Sequence, residues 1–175
     1  MKVLHHPISL AHAVKIGAVA VAALAALAFS RPAHAAGSVE VSYVKPESFT
    51  DAGRGLITSE RNLERLSQHL QGLGAKLPDG QTLRIEVLDV DLAGEQNRVL
   101  RQPDLRVMKG STDWPRINLR YTLLEGSRTV ASGEERVADM GYLIHPPRYD
   151  REALGYERRM LERWFDERFA SAPAR

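Results

Sequence analysis

Asp89, Asp91 and Glu95 stand in the pattern D-x-D-x-x-x-E within the stretch DVDLAGE, and Asp51 lies in an earlier glycine-rich loop that could join them. Carboxylates two residues apart on a strand project to the same side. Two or three such groups can hold a hard cation such as calcium or magnesium through oxygen. They can equally act as the acid and base of a hydrolytic reaction. The same oxygens also suit a structural task, accepting hydrogen bonds from backbone N–H groups in nearby turns. The spacing lacks the fixed glycine and the further oxygens of a calcium-binding loop. Asp51, Asp89, Asp91 and Glu95 are therefore read as a candidate binding or structural rim, with no catalytic residue and no metal ligand assigned.

Other chemistries lack their parts. The chain has no cysteine, so it offers no thiol nucleophile, no cysteine metal site and no disulfide. Past residue 35 the histidines are His69 and His145. Both are expected at the surface, His69 on the flank of a helix and His145 in a loop before two prolines. No G-x-S-x-G elbow accompanies them, and two distant histidines are poor material for zinc. Gly53 and Gly55 make only a G-x-G, without the third glycine or the Lys-Ser/Thr of a phosphate loop. Arg84, Arg116 and Arg120 fall at polar strand positions and would line a sheet face free of helices. Glu86, Glu134 and Glu135 balance them, so that face is read as solvated rather than anion-binding. No cofactor is assigned.

The elements that must position these residues are legible from periodicity. Val39, Val41 and Tyr43 alternate with polar residues as a strand that Pro46 ends. Leu63, Leu66, Leu70, Leu73 and Leu77 recur at helical spacing, and Thr58 or Ser59 is the expected cap. Leu83, Ile85 and Val87 share one face of a second strand. The alternation then slips at Leu88, so that Val90 and Leu92 continue on the opposite parity, which indicates a bulge or a strand end buried on both faces. Ala93 to Pro103 reads as connector, Leu105 and Val107 as a short strand, and Lys109 to Asp113 as a turn. Arg116–Leu124 and Arg128–Val137 form a hairpin across Glu125-Gly126-Ser127. Asp150 is the expected cap of a last helix, whose Leu154, Leu161, Phe165 and Phe169 make one apolar stripe. Tyr156, Met160 and Trp164 make a second stripe beside it, either core or an aromatic docking surface.

This order predicts an α+β two-layer domain, with an antiparallel or mixed sheet of four to five strands and two helices on one face. The first two strands, joined through a helix, should be parallel neighbours. Asp51 would then share a rim with Asp89 or Asp91, one of them bonded to backbone N–H groups of the other stretch.

The first 35 residues read as a cleavable secretory signal. Lys2 and Lys15 precede the apolar run Ile16–Phe29, and Ala33-His34-Ala35 supplies small residues at a cut after Ala35. The run is shorter than the roughly 20 residues a membrane-spanning helix requires. The segment holds Lys2, Lys15 and Arg31 and no acid, so the remaining chain carries slightly more acid than base. A nucleic-acid binder would show a basic excess instead. Residues 36–175 are expected to be one exported domain of the periplasm, without a membrane span.

Three stretches carry a family likeness: Phe49-Thr50-Asp51-Ala52-Gly53, the DVDLAGE stretch Asp89–Glu95, and Tyr156-Glu157 with Trp164-Phe165. Together they resemble an uncharacterised bacterial group, domain-of-unknown-function family 3016. The resemblance implies an exported bacterial protein and supplies no activity, cofactor or catalytic residue. Two functional readings follow. One is a non-enzymatic binding or interaction module of the cell envelope, with an envelope protein as partner. The other is a metal-dependent hydrolase built on Asp89, Asp91 and Glu95.

Overall fold

In β1 (Ser38–Tyr43) the alternating Val39, Val41 and Tyr43 turn toward the core while Ser38, Glu40 and Ser42 stay at the surface. The structure, a computed structural model, describes residues 36–96, 106–110, 112–144 and 154–170. Leaving β1, the chain makes a short 3-10 turn (Pro46–Ser48) and enters α1 (Leu56–Leu73). It returns through β2 (Gln81–Asp91), a small pair of strands β3 (Glu95–Gln96) and β4 (Arg106–Val107), the hairpin β5 (Arg116–Glu125) and β6 (Arg128–Ala138), and α2 (Gly155–Phe165). Asp166–Ala170 continue α2 as a π-helical turn. Ala35–Arg175 is one compact unit holding all of these elements.

The four long strands form an open mixed sheet in the order β1-β2-β5-β6. β1 and β2 are parallel, with Ser38 opposite Thr82 and Tyr43 opposite Val87. The other neighbours are antiparallel. The register of β2 against β5 shifts between Val87 and Asp89. Leu88 is the extra residue, so Val90 and Leu92 enter the core that Leu83, Ile85 and Val87 began, while Asp89 and Asp91 remain half-exposed. A second shift leaves Val130 of β6 unpaired, since Ala131 faces Leu123 and Thr129 faces Leu124.

Both helices cover the same sheet face. On α1, Leu63, Leu66, Leu70 and Leu73 are buried, and Leu77 follows them beyond its end. The Tyr43 hydroxyl ties β1 to α1 by donating to the Leu63 carbonyl at 2.6 Å. Gly74 closes the helix where a Cβ would stand 3.1 Å from the backbone of Ser38 and Val39, so a side chain there would press helix end and strand apart. The expected cap lies elsewhere. Gly55, in a left-handed-side conformation at φ 77°, begins the helix before Thr58, which is buried within its first turn. The expected cap of α2, Asp150, and the loop His145 fall outside the described residues.

The aromatic stripe of α2 is core. Met160 and Trp164 are buried, which corrects the docking-surface alternative for them. The cause is the sheet beneath. Trp164 meets Tyr121 of β5 edge to face at 6.1 Å and Phe169 at 5.4 Å. Its indole N–H donates to the Glu135 carboxylate of β6 at 3.0 Å. Arg168 pairs with the other oxygen of Glu135 at 2.7 Å. Tyr156 is half-buried against Tyr142, with ring centroids 5.0 Å apart.

His69 is not a surface residue either. It is half-buried where α1 meets α2, and its Nε2 donates to the Arg158 carbonyl at 3.0 Å. Nδ1 accepts from Arg158 Nε at 3.4 Å. Burial, then the Arg158 charge, lowers the ring's pKa below its ordinary 6.5. As pH falls below that value the unfolded chain takes up the proton first. Stability present above it is therefore lost until the folded ring also protonates. His69→Gln should remove this slope. In thermal melts taken from neutrality downward, the wild type should fall further than the variant. Parallel curves would place the ring in solvent.

Candidate functional site

Because β1 and β2 run parallel, their C-terminal ends lie together, and the chain leaving β1 folds back beside the end of β2. The Asp51 N–H donates to the Val90 carbonyl at 2.8 Å, and the Leu92 N–H donates to the Asp51 carbonyl at 3.0 Å. This isolated parallel bridge aligns Asp51 with Asp91. Thr50, one residue earlier, grips Asp89 twice: its N–H donates to Oδ1 at 2.7 Å and its hydroxyl to Oδ2 at 2.8 Å. Asp91 pairs with Arg116, its direct cross-strand neighbour on β5. Asp51 accepts the Gly53 N–H on Oδ1 at 2.9 Å. Three of the four rim carboxylates are thus brought together, while Glu95 lies beyond them, exposed and paired with Lys109 at 2.7 Å.

The centre of the rim is a residue that the reading of the sequence missed. Arg106 of β4 has a side chain only 11% exposed. Its Nη2 donates to Asp51 Oδ2 at 2.5 Å, to the Gly94 carbonyl at 2.6 Å and to the Leu92 carbonyl at 3.2 Å. Its Nε donates to the Ala93 carbonyl at 2.7 Å. Gly94 lets the chain bend around it at φ 70°, where a Cβ would stand 2.7 Å from the Val107 carbonyl oxygen. The signal for Arg106 was its polar position between Leu105 and Val107.

Glu157, the first-turn acid of α2, is only 2% exposed. It accepts the Ala93 N–H at 2.7 Å. It sits at i+3 from Leu154 and i−4 from Leu161, on the apolar stripe itself. An acid on that stripe was the available sign of a buried role. Burial raises its carboxyl above the ordinary 4.5, against the opposing Ala93 N–H and the Arg106 charge. Nearby, Asp113 accepts the N–H of Gly110 at 2.8 Å and the Tyr142 hydroxyl at 2.9 Å, as well as the N–H of Lys109. Burial pushes Asp113 up, but these donors together outweigh it and hold the carboxyl below its usual value. Burial and the bond to Asp113 push the Tyr142 hydroxyl up to about 12.

Chemically this is a network whose carboxylates are each occupied by a different donor. Among the described residues no three acids or histidines converge as a metal site would require. The open face of the sheet is similarly matched. Arg84 pairs with Glu40 at 2.8 Å, and Arg120 bridges Glu86 and Glu134 at 2.9 and 3.0 Å. A depression of about 400 Å³ there is lined by Glu40, Arg84, Glu86 and Arg120 among others.

Outside the network, the same end of the domain is apolar. It carries the turn after β1, the start of α1, the β3–β4 pair and the turn after β6. Val44, Leu56 and Ile57 are exposed on the first two, Val107 on the third, and Met140, Leu143 and Ile144 on the last. Among the described residues one further large apolar side chain is exposed, Val130 at the β6 bulge.

Two variants test the network. Asp91→Ala should lower stability by about 1.5–3 kcal/mol, the cost of removing a partner from a charged hydrogen bond, as read by denaturant unfolding. An unchanged midpoint would separate Asp91 from the fastening of the strands. Glu157 keeps its proton in the folded chain at pH values where the unfolded chain has lost it, so stability falls as pH rises above about 4.5. Glu157→Gln should therefore gain on the wild type from that pH toward neutrality, and a constant offset would contradict the assignment.

Neither a curated protein nor a solved structure matches the chain significantly. A family profile matches residues 37–167, a span that contains the 50–51 loop, the DVDLAGE stretch, Arg106 and Glu157. The chain belongs to the family described as "Protein of unknown function (DUF3016)".

Proposed function

We propose that the chain is a bacterial protein exported to the periplasm through a signal cut after Ala35, and that it acts as a non-enzymatic interaction module of the cell envelope. The observation that carries the reading is the clustering of exposed apolar side chains on the loops at one end of the sheet. Exposed apolar side chains gathered at one end of a domain favour a contact site there. Here it is held on rigid supports. Tyr142, buried and bonded to Asp113, anchors the turn that presents Met140, Leu143 and Ile144. The start of α1 presents Leu56 and Ile57. No helix among the described residues is long and apolar enough to cross a membrane.

Asp89 is held by Thr50, Asp91 by Arg116 and Glu95 by Lys109, and among the described residues no three acids or histidines are grouped to hold a metal, which favours the interaction module.

Fractionation of cells expressing the tagged full chain tests the proposal. The protein should leave with the osmotic-shock fluid, and its intact mass should correspond to a chain beginning at Ala36. Full-length protein in the cytoplasm would overturn export. A photoreactive amino acid placed at Ile144 should give adducts in cells, while one at Ser132 on the open face should give none. Equal or absent labelling at the two sites would overturn the choice of contact surface.

A further inference from the structure

We infer that the first turn of α2 is a proton-operated latch on the turn after β6, an inference that rests on the reading of this end as the contact surface. With Glu157 protonated, the helix start sits on the end of β2 and holds that turn in place. With Glu157 ionised, it unseats and frees the turn. The hold comes from two residues beside Glu157. The Tyr156 ring meets Tyr142 edge to face, with centroids 5.0 Å apart. Arg159 Nη2 donates to Asp139 Oδ2 at 2.7 Å and to the Tyr142 carbonyl at 3.3 Å. Tyr156 and Arg159 stand at i and i+3, on one side of the helix. Between them they grip the turn that presents Met140, Leu143 and Ile144.

The seat itself depends on Glu157. The residue is 2% exposed and accepts the Ala93 N–H at the end of β2 at 2.7 Å. The charged groups that face it are Arg106 of β4 and Asp51 of the loop after β1. Arg106 already directs Nε and Nη2 to the Leu92, Ala93 and Gly94 carbonyls and to Asp51. One guanidinium and one carboxylate balance. A second carboxylate would give the enclosed site a net negative charge, and a buried charge without its own partner takes up a proton or moves to water. The seat therefore favours protonated Glu157. It is held at and below the acid's ordinary 4.5 and lost as pH rises through the higher value of the seated chain. The backbone beside it is poised to move. Leu154, just before the helix, lies at φ 64° and ψ 26°, a left-handed conformation unfavourable to leucine. Its buried side chain keeps it there. Unseating relieves that strain, while Met160, Leu161, Trp164 and Phe165 keep the rest of α2 on the sheet.

Amide hydrogen exchange on the purified protein, corrected for the pH dependence of the chemical step, tests the latch. In the wild type, each pH unit above about 4.5 should lower the protection of the Ala93 N–H about tenfold. The N–H groups of Tyr142 and Ile144, bonded to the Asp139 and Gly141 carbonyls at 3.3 and 2.9 Å, should follow with the same midpoint. All three should reach the unprotected rate while Ile85 and Leu119 in the sheet are still protected. In Glu157→Gln the three should stay protected at every pH. Equal profiles in wild type and variant overturn the latch. So does titration of Ala93 that leaves Tyr142 and Ile144 protected, or loss of protection in the sheet together with theirs. Exchange reads the purified protein and the adduct at Ile144 reads the cell, so the two ideas fail separately. Absent adducts overturn the contact surface, and flat wild-type exchange overturns the latch.

Discussion

A guanidinium carries five N–H donors and stays charged throughout the accessible pH range. Burying one obliges a fold to surround it with oxygen. Arg106 meets that demand with three consecutive backbone carbonyls, Leu92, Ala93 and Gly94, and with the Asp51 carboxylate. Those groups come from two separated stretches, the loop after β1 and the end of β2. The side chain itself comes from a third, β4. One cation thereby fixes the path of irregular backbone where a sheet edge would otherwise fray. Removing it would leave the Leu92, Ala93 and Gly94 carbonyls and the Asp51 carboxylate without their shared donor, which is why such a group is costly to lose even when it adds little net stability.

The geometry upstream of Arg106 depends on one inserted residue. If Leu88 were paired in regular alternation instead of bulged, Leu88 and Val90 would fall on the open face and Asp89 and Asp91 under the helices. The bulge reverses this for the last turn of strand. It sends Val90 and Leu92 into the core and frees Asp89 and Asp91 to meet Thr50 and Arg116. The acidic rim, the apolar core and the bridge to Asp51 are therefore consequences of a single break in pairing. Glu157 completes the arrangement from the helical layer, taking the Ala93 N–H that the strand no longer uses.

Much of this was legible in the residues alone, because side-chain alternation reports directly which face of a strand is buried. The β5–β6 hairpin, the leucine stripe of α1, the slip at Leu88 and the mixed sheet with both helices on one face follow from that pattern. What escaped depends on contacts distant in the chain. Arg106 looks like any polar residue in a short strand until Leu92 to Gly94 curl around it. His69 reads as the flank of a helix until Arg158, far along the chain, closes over it. Trp164 and Met160 suggested a docking edge because α2 carries a wide apolar arc. The sheet beneath is broad enough to cover it, with Tyr121 and Glu135 waiting below the indole. The cap of α1 was misplaced because a glycine conformation, at Gly55, did the work that a hydroxyl was expected to do.

One of the two edge strands, β6, bears on behaviour in a crowd. β6 is eleven residues long and borders no further strand among the described residues, a ready template for pairing with another chain. Yet it bends at the unpaired Val130, and it carries Glu135 on the helix side, where Trp164 and Arg168 hold the carboxylate. A second chain added along this strand would have to follow a kinked edge and bring its own side chains against a charge already enclosed. Such features discourage the strand-by-strand growth that leads to fibrils. The domain can therefore reach high local density with this edge resisting fusion of one sheet to the next.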